Sequence, residues 1–386
     1  MLGRLHKVMP SITPPDAARW QQIGRALMEG DRRMDPLVAA MTRNGIRESR
    51  AQFERALRDG IDTVPDALPE LRGFMNAIGT PPPWLDRDRL ARGAALFWRC
   101  GRNALYVGRD VALMGGYQAS AFNRTLILTG ALQKGPTRRL AETVQWSLDC
   151  TAQGGMDAHG IGWRSTLTVR FIHALVRRSV AARPDWKMTE WGLPINQADM
   201  AATLYGALTV PILGARMMGM PQSRQDRDAA AHLTRYVGWL IGVDETWLTD
   251  SEDAAAAQLM QLLLSLNNPD ETSALMARPL AEEPLQRPYP NFAWLRGRLQ
   301  HSKHLSISRA FLGKAAMTRL GLPANGLPWY PLLTMPLTLG YHGIAGLLPG
   351  GKSRVATAGR AAQEAYVRQL VADSPAVIGQ SATAAA

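Results

Sequence analysis

The sequence predicts an all-α protein, and three observations indicate this class. Alanine, leucine and arginine, all favourable in helices, dominate the 386 residues. Stretches that alternate apolar and polar residues, as a half-buried strand would, are scarce. Apolar residues instead recur every three or four positions, as they do on one face of a helix. The length suits one large domain or two small ones, with ample material for a buried core.

The chain before residue 80 has the pattern of short amphipathic helices separated by turn residues. These predicted helices cover residues 16–29, 35–42, 48–58 and 68–78. A Thr-Pro-Pro-Pro run at residues 80–83 favours an extended connector, and small residues near the C-terminus are typical of disorder. We therefore predict an N-terminal helical arm (1–79), a main helical domain (80–372) and a disordered tail (373–386).

The net charge of +12 comes mostly from arginine, but the basic residues are scattered. The sequence has no tract of five or more lysines and arginines, so we do not expect a nucleic-acid-binding protein. The charge is equally compatible with an anionic cofactor or an anionic lipid surface. Cys100 and Cys150 make neither a disulfide framework nor a zinc site. Residues 1–14 lack the layout of a secretion signal, so we expect a cytoplasmic protein.

Two helices predicted at the centre of the chain contain the side chains of greatest chemical interest. The first begins at Gly135 and places Thr143 and Val144 on one face. A glycine-rich connector at residues 154–162 ends it. The second helix runs from about residue 163 to residue 183 and is apolar on most sides. Such a helix is expected to be buried.

A single histidine, His173, lies near the middle of this second predicted helix. Arg170 precedes it by three residues and Arg177 follows it by four, so the three side chains share one face. A neutral imidazole flanked by guanidinium groups could be the axial ligand of a metal beside an anionic cofactor. The alternative is a hydrogen-bonded histidine of the core, which has no functional role.

The sequences GGMDAHGIGW, VRFIHALVRR and WGLPINQADMAAT occur in that order in this central region. Together they resemble the bacterial latex clearing proteins, which are rubber oxygenases. They are also similar to the wider family that contains the fungal oxygenase that trims the prenyl side chain of a mycophenolic acid precursor. The resemblance covers about residues 80–210. It implies a globin-like helical core with extra helices, and an oxygenase that depends on haem and dioxygen.

The resemblance also implies roles for individual residues. In the latex clearing proteins, a helix with an Arg and a Thr four residues apart lies over the haem, and the proximal His follows the Thr by thirty residues. Arg139, Thr143 and His173 keep this spacing. Glu142 replaces a distal lysine, which favours an open or water-bound sixth position on the iron. The family's upstream catalytic glutamate falls on Asn123, which cannot act as a base, so Glu142 could have taken over that role.

Several of these residues have a simpler interpretation that remains open. Arg170 and Arg177 would neutralise haem propionates, because a guanidinium fork fits a carboxylate, or they could face solvent. Thr143 could bond its own backbone. Asn196 and Asp199 are better placed to cap the following helix than to contact a substrate.

These observations lead to a main functional hypothesis and two alternatives. The sequence has no C-x-x-C-H motif, so a haem would be the non-covalent b type. The main hypothesis is a haem b-dependent oxygenase that acts with dioxygen on a C=C bond of an apolar isoprenoid or lipid-like molecule, with His173 on the iron. The first alternative is a non-catalytic haem or lipid-binding helical protein. The second is a haem-free protein in which His173 is a core residue.

The segment 320–351 contains no charged residue and is strongly apolar. Its length suits a membrane span, but several prolines and glycines argue against one continuous helix. A Trp-Tyr pair and the basic balance of the chain favour peripheral membrane contact here. The other interpretation is a buried segment at the edge of the domain.

Overall fold

The computed structural model describes residues 13–130, 132, 135–266 and 268–371, and every regular element among them is helical. The predicted all-α class is confirmed. The predicted tail (373–386) and most of the stretch considered for a secretion signal (1–12) lie outside the described residues. The helices, in chain order, are α1 (Ala17–Ala26), α2 (Met34–Arg43), α3 (Ile46–Asp59), α4 (Pro69–Gly79), α5 (Arg87–Arg99), α6 (Gly101–Val107), a π-helical segment (Gly108–Leu113), α7 (Met114–Gly116), α8 (Ser120–Leu128), α9 (Pro136–Cys150), α10 (Ile161–Ala181), α11 (Met188–Trp191), α12 (Gln197–Met217), α13 (Arg224–Ile241), α14 (Glu252–Leu263), α15 (Glu271–Gln286), α16 (Ala293–Arg319), α17 (Trp329–Leu347) and α18 (Gly351–Val371).

Helices α9 and α10 are the predicted central pair, and they pack against each other. Helix α9 begins as expected, with Pro136 at its first position, where a missing N–H costs nothing. A glycine is required at residue 162 because the backbones of α9 and α10 approach each other closely there. A Cβ atom on Gly162 would lie 2.5 Å from the carbonyl oxygen of Asp149. The indole Nε1 of Trp146 donates to Thr166 Oγ1 at 3.1 Å and joins the two helices.

Helix α10 lies in the core, between α13 and the helices that precede residue 80. The ring of Phe171 stacks on that of Phe53 in α3, with centroids 4.9 Å apart. Buried residues of α2 to α4 belong to the same hydrophobic cluster as those of α10 and α12. The helices of the N-terminal segment therefore pack onto the central pair, while the domain boundary at residue 79 remains a prediction.

Helix α12 follows the central pair and runs through the core. Its N-cap is Asn196, as predicted, because the Oδ1 of Asn196 accepts from the backbone N–H of Asp199 at 2.9 Å. Within the described part of the chain, α12 is the one helix long and apolar enough to cross a membrane. Since 72% of that apolar window is buried inside the protein, its composition suits a core helix.

The C-terminal third agrees with the sequence-based expectation in one place and differs from it in another. The two helices that the sequence pattern predicts from about residue 291 to residue 320 are present as the two parts of α16, which meet at a kink at Gly313; the φ of this residue is 83°, which only glycine adopts readily. The segment 320–351 contains one helix, α17, which continues past Pro336. The interpretation of this segment as a buried edge is wrong, because none of the α17 residues is buried.

Candidate active site

A cavity of about 300 Å³ lies between α8, α9, α10 and α12. This volume is at the small end of the range for ligand pockets. Its walls are mainly apolar, and the apolar side chains include Phe122, Leu126, Val169, Ile172, Met200 and Leu204. Its polar side chains include Arg139, Glu142, Thr143, His173, Asp199 and Thr203. An apolar chamber with a few polar groups suits an apolar ligand that reacts at a defined point.

The structure brings four of the predicted site residues to this one cavity. Arg139, Glu142 and Thr143 come from α9, where their spacing of three and four residues places them on one side of the helix. His173 comes from α10. The two helices converge on the cavity because the glycine connector between them allows close packing.

His173 has the properties of a neutral metal ligand. Its Nδ1 atom is buried and has no hydrogen-bond partner among the described residues, although the ring itself borders the cavity. Burial, followed by the nearby Arg177 guanidinium, lowers the pKa of His173 to about 4. The imidazole is therefore neutral near pH 7, and no proton competes with a metal for its nitrogen lone pair.

The α9 side of the cavity is more polar. Glu142 is 13% exposed, and its Oε1 lies 3.6 Å from the Nε atom of Arg138, at the rim. Arg139 lies beside the hydroxyl of Tyr117; burial raises the pKa of Tyr117, and Arg139 counteracts that rise. Thr143 Oγ1 donates to the backbone carbonyl of Arg139 at 3.0 Å, so the simpler interpretation of this hydroxyl holds.

Arg170 and Arg177 do not line the cavity, contrary to the expectation that they bind cofactor carboxylates. Both guanidinium groups are bound by carboxylates of the protein: Arg170 pairs with Asp31, and Arg177 pairs with Asp35. Arg177 also donates to the carbonyl oxygen of Ile195 from Nη2 at 2.8 Å. The two arginines therefore fix the position of α10 and leave Arg139 as the cavity arginine.

Asn123, which the resemblance implies to stand at the position of the family's catalytic glutamate, does not line the cavity either. Its side-chain amide is buried and donates to the carbonyl oxygen of Tyr117 at 2.8 Å and to Thr272 Oγ1 at 3.1 Å. The second of these bonds joins α8 to the start of α15. Asn123 is thus part of the structural framework beside the cavity, while its neighbour Phe122 contributes to the wall.

Asp199 is a second carboxyl group in the cavity, and the sequence pattern gave it only a capping role. Asp199 Oδ2 accepts from the Asn196 side-chain amide at 2.9 Å. Burial raises the pKa of Asp199 to about 7, although that hydrogen bond opposes the rise. The signal that could have indicated this role is its position, one turn into a long apolar helix where a carboxyl group faces the interior.

Comparisons with known proteins identify the family of the chain. A family model described as "ER-bound oxygenase mpaB/B'/Rubber oxygenase, catalytic domain" matches residues 98–340. The rubber oxygenase of Streptomyces sp. (strain K30) is 28% identical over 242 residues, which cover 60% of this chain and 58% of that relative. The solved structure of latex clearing protein LCP in the closed state superposes with a TM-score of 0.67, at 22% identity, over 89% of this chain and 91% of that one. The family match covers more than half of the sequence, and the chain belongs to the family of mpaB-type and rubber oxygenase catalytic domains.

Proposed function

We propose that this protein is a haem b-dependent oxygenase that inserts dioxygen into a C=C bond of an apolar isoprenoid or lipid-like molecule and cleaves it. The observation that supports this most is the convergence of His173 with Arg139, Glu142 and Thr143 on one mainly apolar cavity. Cleavage would place one atom of dioxygen on each carbon of the former double bond and give two carbonyl groups.

The side chains of the cavity suit a haem. His173 would hold the iron, since its ring is neutral and one of its nitrogens lacks a protein partner. Arg139 would pair with a propionate carboxylate. Within the described residues, no three His, Cys, Asp or Glu side chains cluster as a bare metal ion would need. A haem iron requires only one such ligand from the protein. When bound, the haem would supply the activation of dioxygen, which side chains cannot supply.

The remaining residues would bind the substrate and move its proton. The apolar wall, including Phe122 and Leu204, would hold a hydrocarbon chain and exclude water from it. Glu142 would accept an allylic proton from the substrate on one carboxylate oxygen. Asp199 is the second group able to do so, because its pKa of about 7 is close to the working pH of a general base.

Oxygen uptake by the purified protein tests this proposal. A panel of unsaturated isoprenoids and unsaturated fatty acids would be supplied, with their saturated counterparts as controls, and the products would be examined for new carbonyl groups. We expect uptake that depends on the double bond and yields two carbonyl fragments. Uptake without fragments would limit the activity to oxygenation.

The alternative is a non-catalytic haem or lipid carrier with the same scaffold. The observation in its favour is that Asn123, at the position of the family's glutamate, bonds to the framework and cannot accept a proton. A carrier would bind haem or lipid in the same cavity and show no substrate-dependent uptake with any member of the panel.

A further inference from the structure

Helix α17 has its polar and apolar faces reversed relative to a helix packed on a protein core. Beyond Trp329 and Pro331 in its first turn, the half-buried positions of the helix are occupied by polar or small side chains: Tyr330, Thr334, Thr338, His342 and Ala345. Their spacing of three to four residues places them on the face directed at the protein. The face directed outward consists mainly of leucine, isoleucine and methionine.

The outward face is highly exposed. Leu332, Leu333, Leu337, Ile344 and Leu347 keep 62%, 63%, 71%, 64% and 87% of their surface accessible. Two hydrogen bonds of Tyr330 hold the start of the helix on the protein: its backbone N–H donates to Ser306 Oγ at 3.2 Å, and its hydroxyl donates to Asn103 Oδ1 at 3.3 Å. A sequence that places apolar side chains outward over about four turns is adapted to an apolar environment outside the protein.

The start of α16 extends this exposed surface. Phe292, Trp294, Leu295 and Leu299 are each more than half exposed. Helix α16 packs along α17, and Trp329 Nε1 donates to Ser302 Oγ at 3.1 Å between the two. Monomeric proteins rarely expose an apolar area formed by two neighbouring helices unless it is an interaction surface.

The charge around this surface indicates what covers it. Residues 284–363, which include α16 and α17, contain ten lysines and arginines and not a single aspartate or glutamate, and all of these cations except Arg287 and Lys303 lie outside the buried core. Arg296, Arg298, Lys352 and Arg354 are exposed beside the apolar side chains. A two-fold dimer through this face would bring two positive surfaces together, which like-charge repulsion opposes. An anionic lipid surface offers both the apolar interior and the complementary charge.

We propose that α17 and the first turns of α16 form an in-plane anchor on anionic membranes. The leucine face of α17 lies among the acyl chains near the headgroups, and the flanking arginines and lysines contact the acidic headgroups. The helix lies flat and does not span the bilayer, because its polar face stays on the protein and α18, which follows at Gly351, packs back onto α5 and α17. This inference is independent of the proposed reaction, since it rests on no residue of the cavity.

Cosedimentation of the full chain with vesicles tests the anchor. Phosphatidylcholine vesicles with and without phosphatidylglycerol would be compared at low and high salt. We expect binding to the anionic vesicles that weakens with salt, and little binding to the neutral ones. The variant Leu332→Ser/Leu333→Ser/Leu337→Ser should reduce the bound fraction at least about tenfold. Its matched control is Trp20→Ser/Leu264→Ser/Leu275→Ser, which replaces exposed apolar side chains elsewhere and should bind like the parent.

A charge-reversed variant, Arg296→Glu/Lys352→Glu, should lower binding to anionic vesicles and leave binding to neutral vesicles unchanged. Circular dichroism and melting temperature would verify that each variant is folded. The proposal is overturned if the parent does not bind anionic vesicles, or if the leucine variant binds as well as its control. It is also overturned if the parent is a dimer that the leucine variant converts to a monomer, with neither bound to vesicles.

Discussion

Arg170 donates two hydrogen bonds to the carboxylate of Asp31: its Nε lies 2.6 Å from Oδ2 of Asp31, and its Nη2 lies 2.8 Å from Oδ1. Both side chains are almost fully buried. Asp31 also accepts from the backbone N–H of Met34 at 3.0 Å, at the start of α2. Since Arg170 lies one turn before His173, this pair fixes the orientation of α10 and thereby the position of the proposed iron ligand.

Asp31→Asn should lower the free energy of unfolding by roughly 3–5 kcal/mol, because it leaves the buried Arg170 guanidinium without its charge partner. Urea denaturation measures the change. Asp59→Asn is the control: its pair with Arg58 is half-exposed and 3.8 Å long, so its removal should change the unfolding free energy by less than about 1 kcal/mol. Equal effects for the two variants would contradict the structural role of the Asp31 pair.

The pH dependence of stability tests the environment of Asp199. Its folded-state pKa of about 7 is above the ordinary value of 3.8. The folded protein therefore binds more protons than the unfolded chain between these values, and stability falls as the pH rises from about 4 to about 7. Asp199→Asn should remove this decline, so the unfolding free energy of the variant relative to the parent should rise by up to about 4 kcal/mol between pH 4 and pH 8. A difference that does not vary with pH would show that Asp199 is ionised throughout.

The roles of the two kinds of arginine can be separated by matched substitutions. Arg139→Gln should weaken haemin binding by about tenfold, because it removes a charge partner for a propionate, with little change in stability. Arg177→Gln should instead destabilise the fold by roughly 1–3 kcal/mol, since the carbonyl oxygen of Ile195 and the partly exposed carboxylate of Asp35 lose their buried donor. Haemin titration and urea denaturation of both variants measure this. If Arg177→Gln weakened haemin binding and Arg139→Gln destabilised the fold, Arg177 would be the arginine of the cofactor site.

Two variants decide which carboxyl group is the base. Glu142→Gln keeps the shape of the side chain and removes its proton acceptor, so it should slow substrate-dependent oxygen uptake by roughly 10²–10⁴-fold without loss of haem. Asp199→Asn is the matched comparison on the other helix. If only the Asp199 variant slows turnover, the base is Asp199, and if neither does, the proton is transferred by another route.

The sequence predicted the helices and part of the site, for local physical reasons. The periodicity of apolar residues predicts α9 and α10. The glycines between the two helices indicate a close backbone contact, which the structure has between Gly162 and Asp149. The four-residue step from Arg139 to Thr143 places both on one side of a helix whatever the rest of the fold. His173 required the family resemblance, because its burial and lack of a partner are not visible in the sequence.

The arginine partners could not be predicted, because they lie far away in the chain. Asp31 is 139 residues before Arg170, and Asp35 is 142 residues before Arg177. From the local sequence we expected Arg170 and Arg177 to pair with the carboxylates of a cofactor. In the fold they pair with carboxylates of the protein itself. The outward direction of the α17 leucines could not be predicted either. Composition shows that a helix is apolar, but it does not show whether the apolar side faces the protein core or the surroundings of the protein.

The central claim is that His173 holds a haem iron, and the visible absorption spectrum of the purified protein tests it most directly. We expect a Soret band, and we expect acidified organic solvent to extract the haem, because no thioether bond retains it. The resting ferric iron should be largely high-spin and should bind added imidazole, since the resemblance implies that Glu142 stands where the family has a distal lysine. His173→Ala should lose most of the haem, whereas the exposed His159→Ala should keep it. A colourless protein that does not bind added haemin, or a His173→Ala variant with full haem content and an unchanged spectrum, would contradict the account.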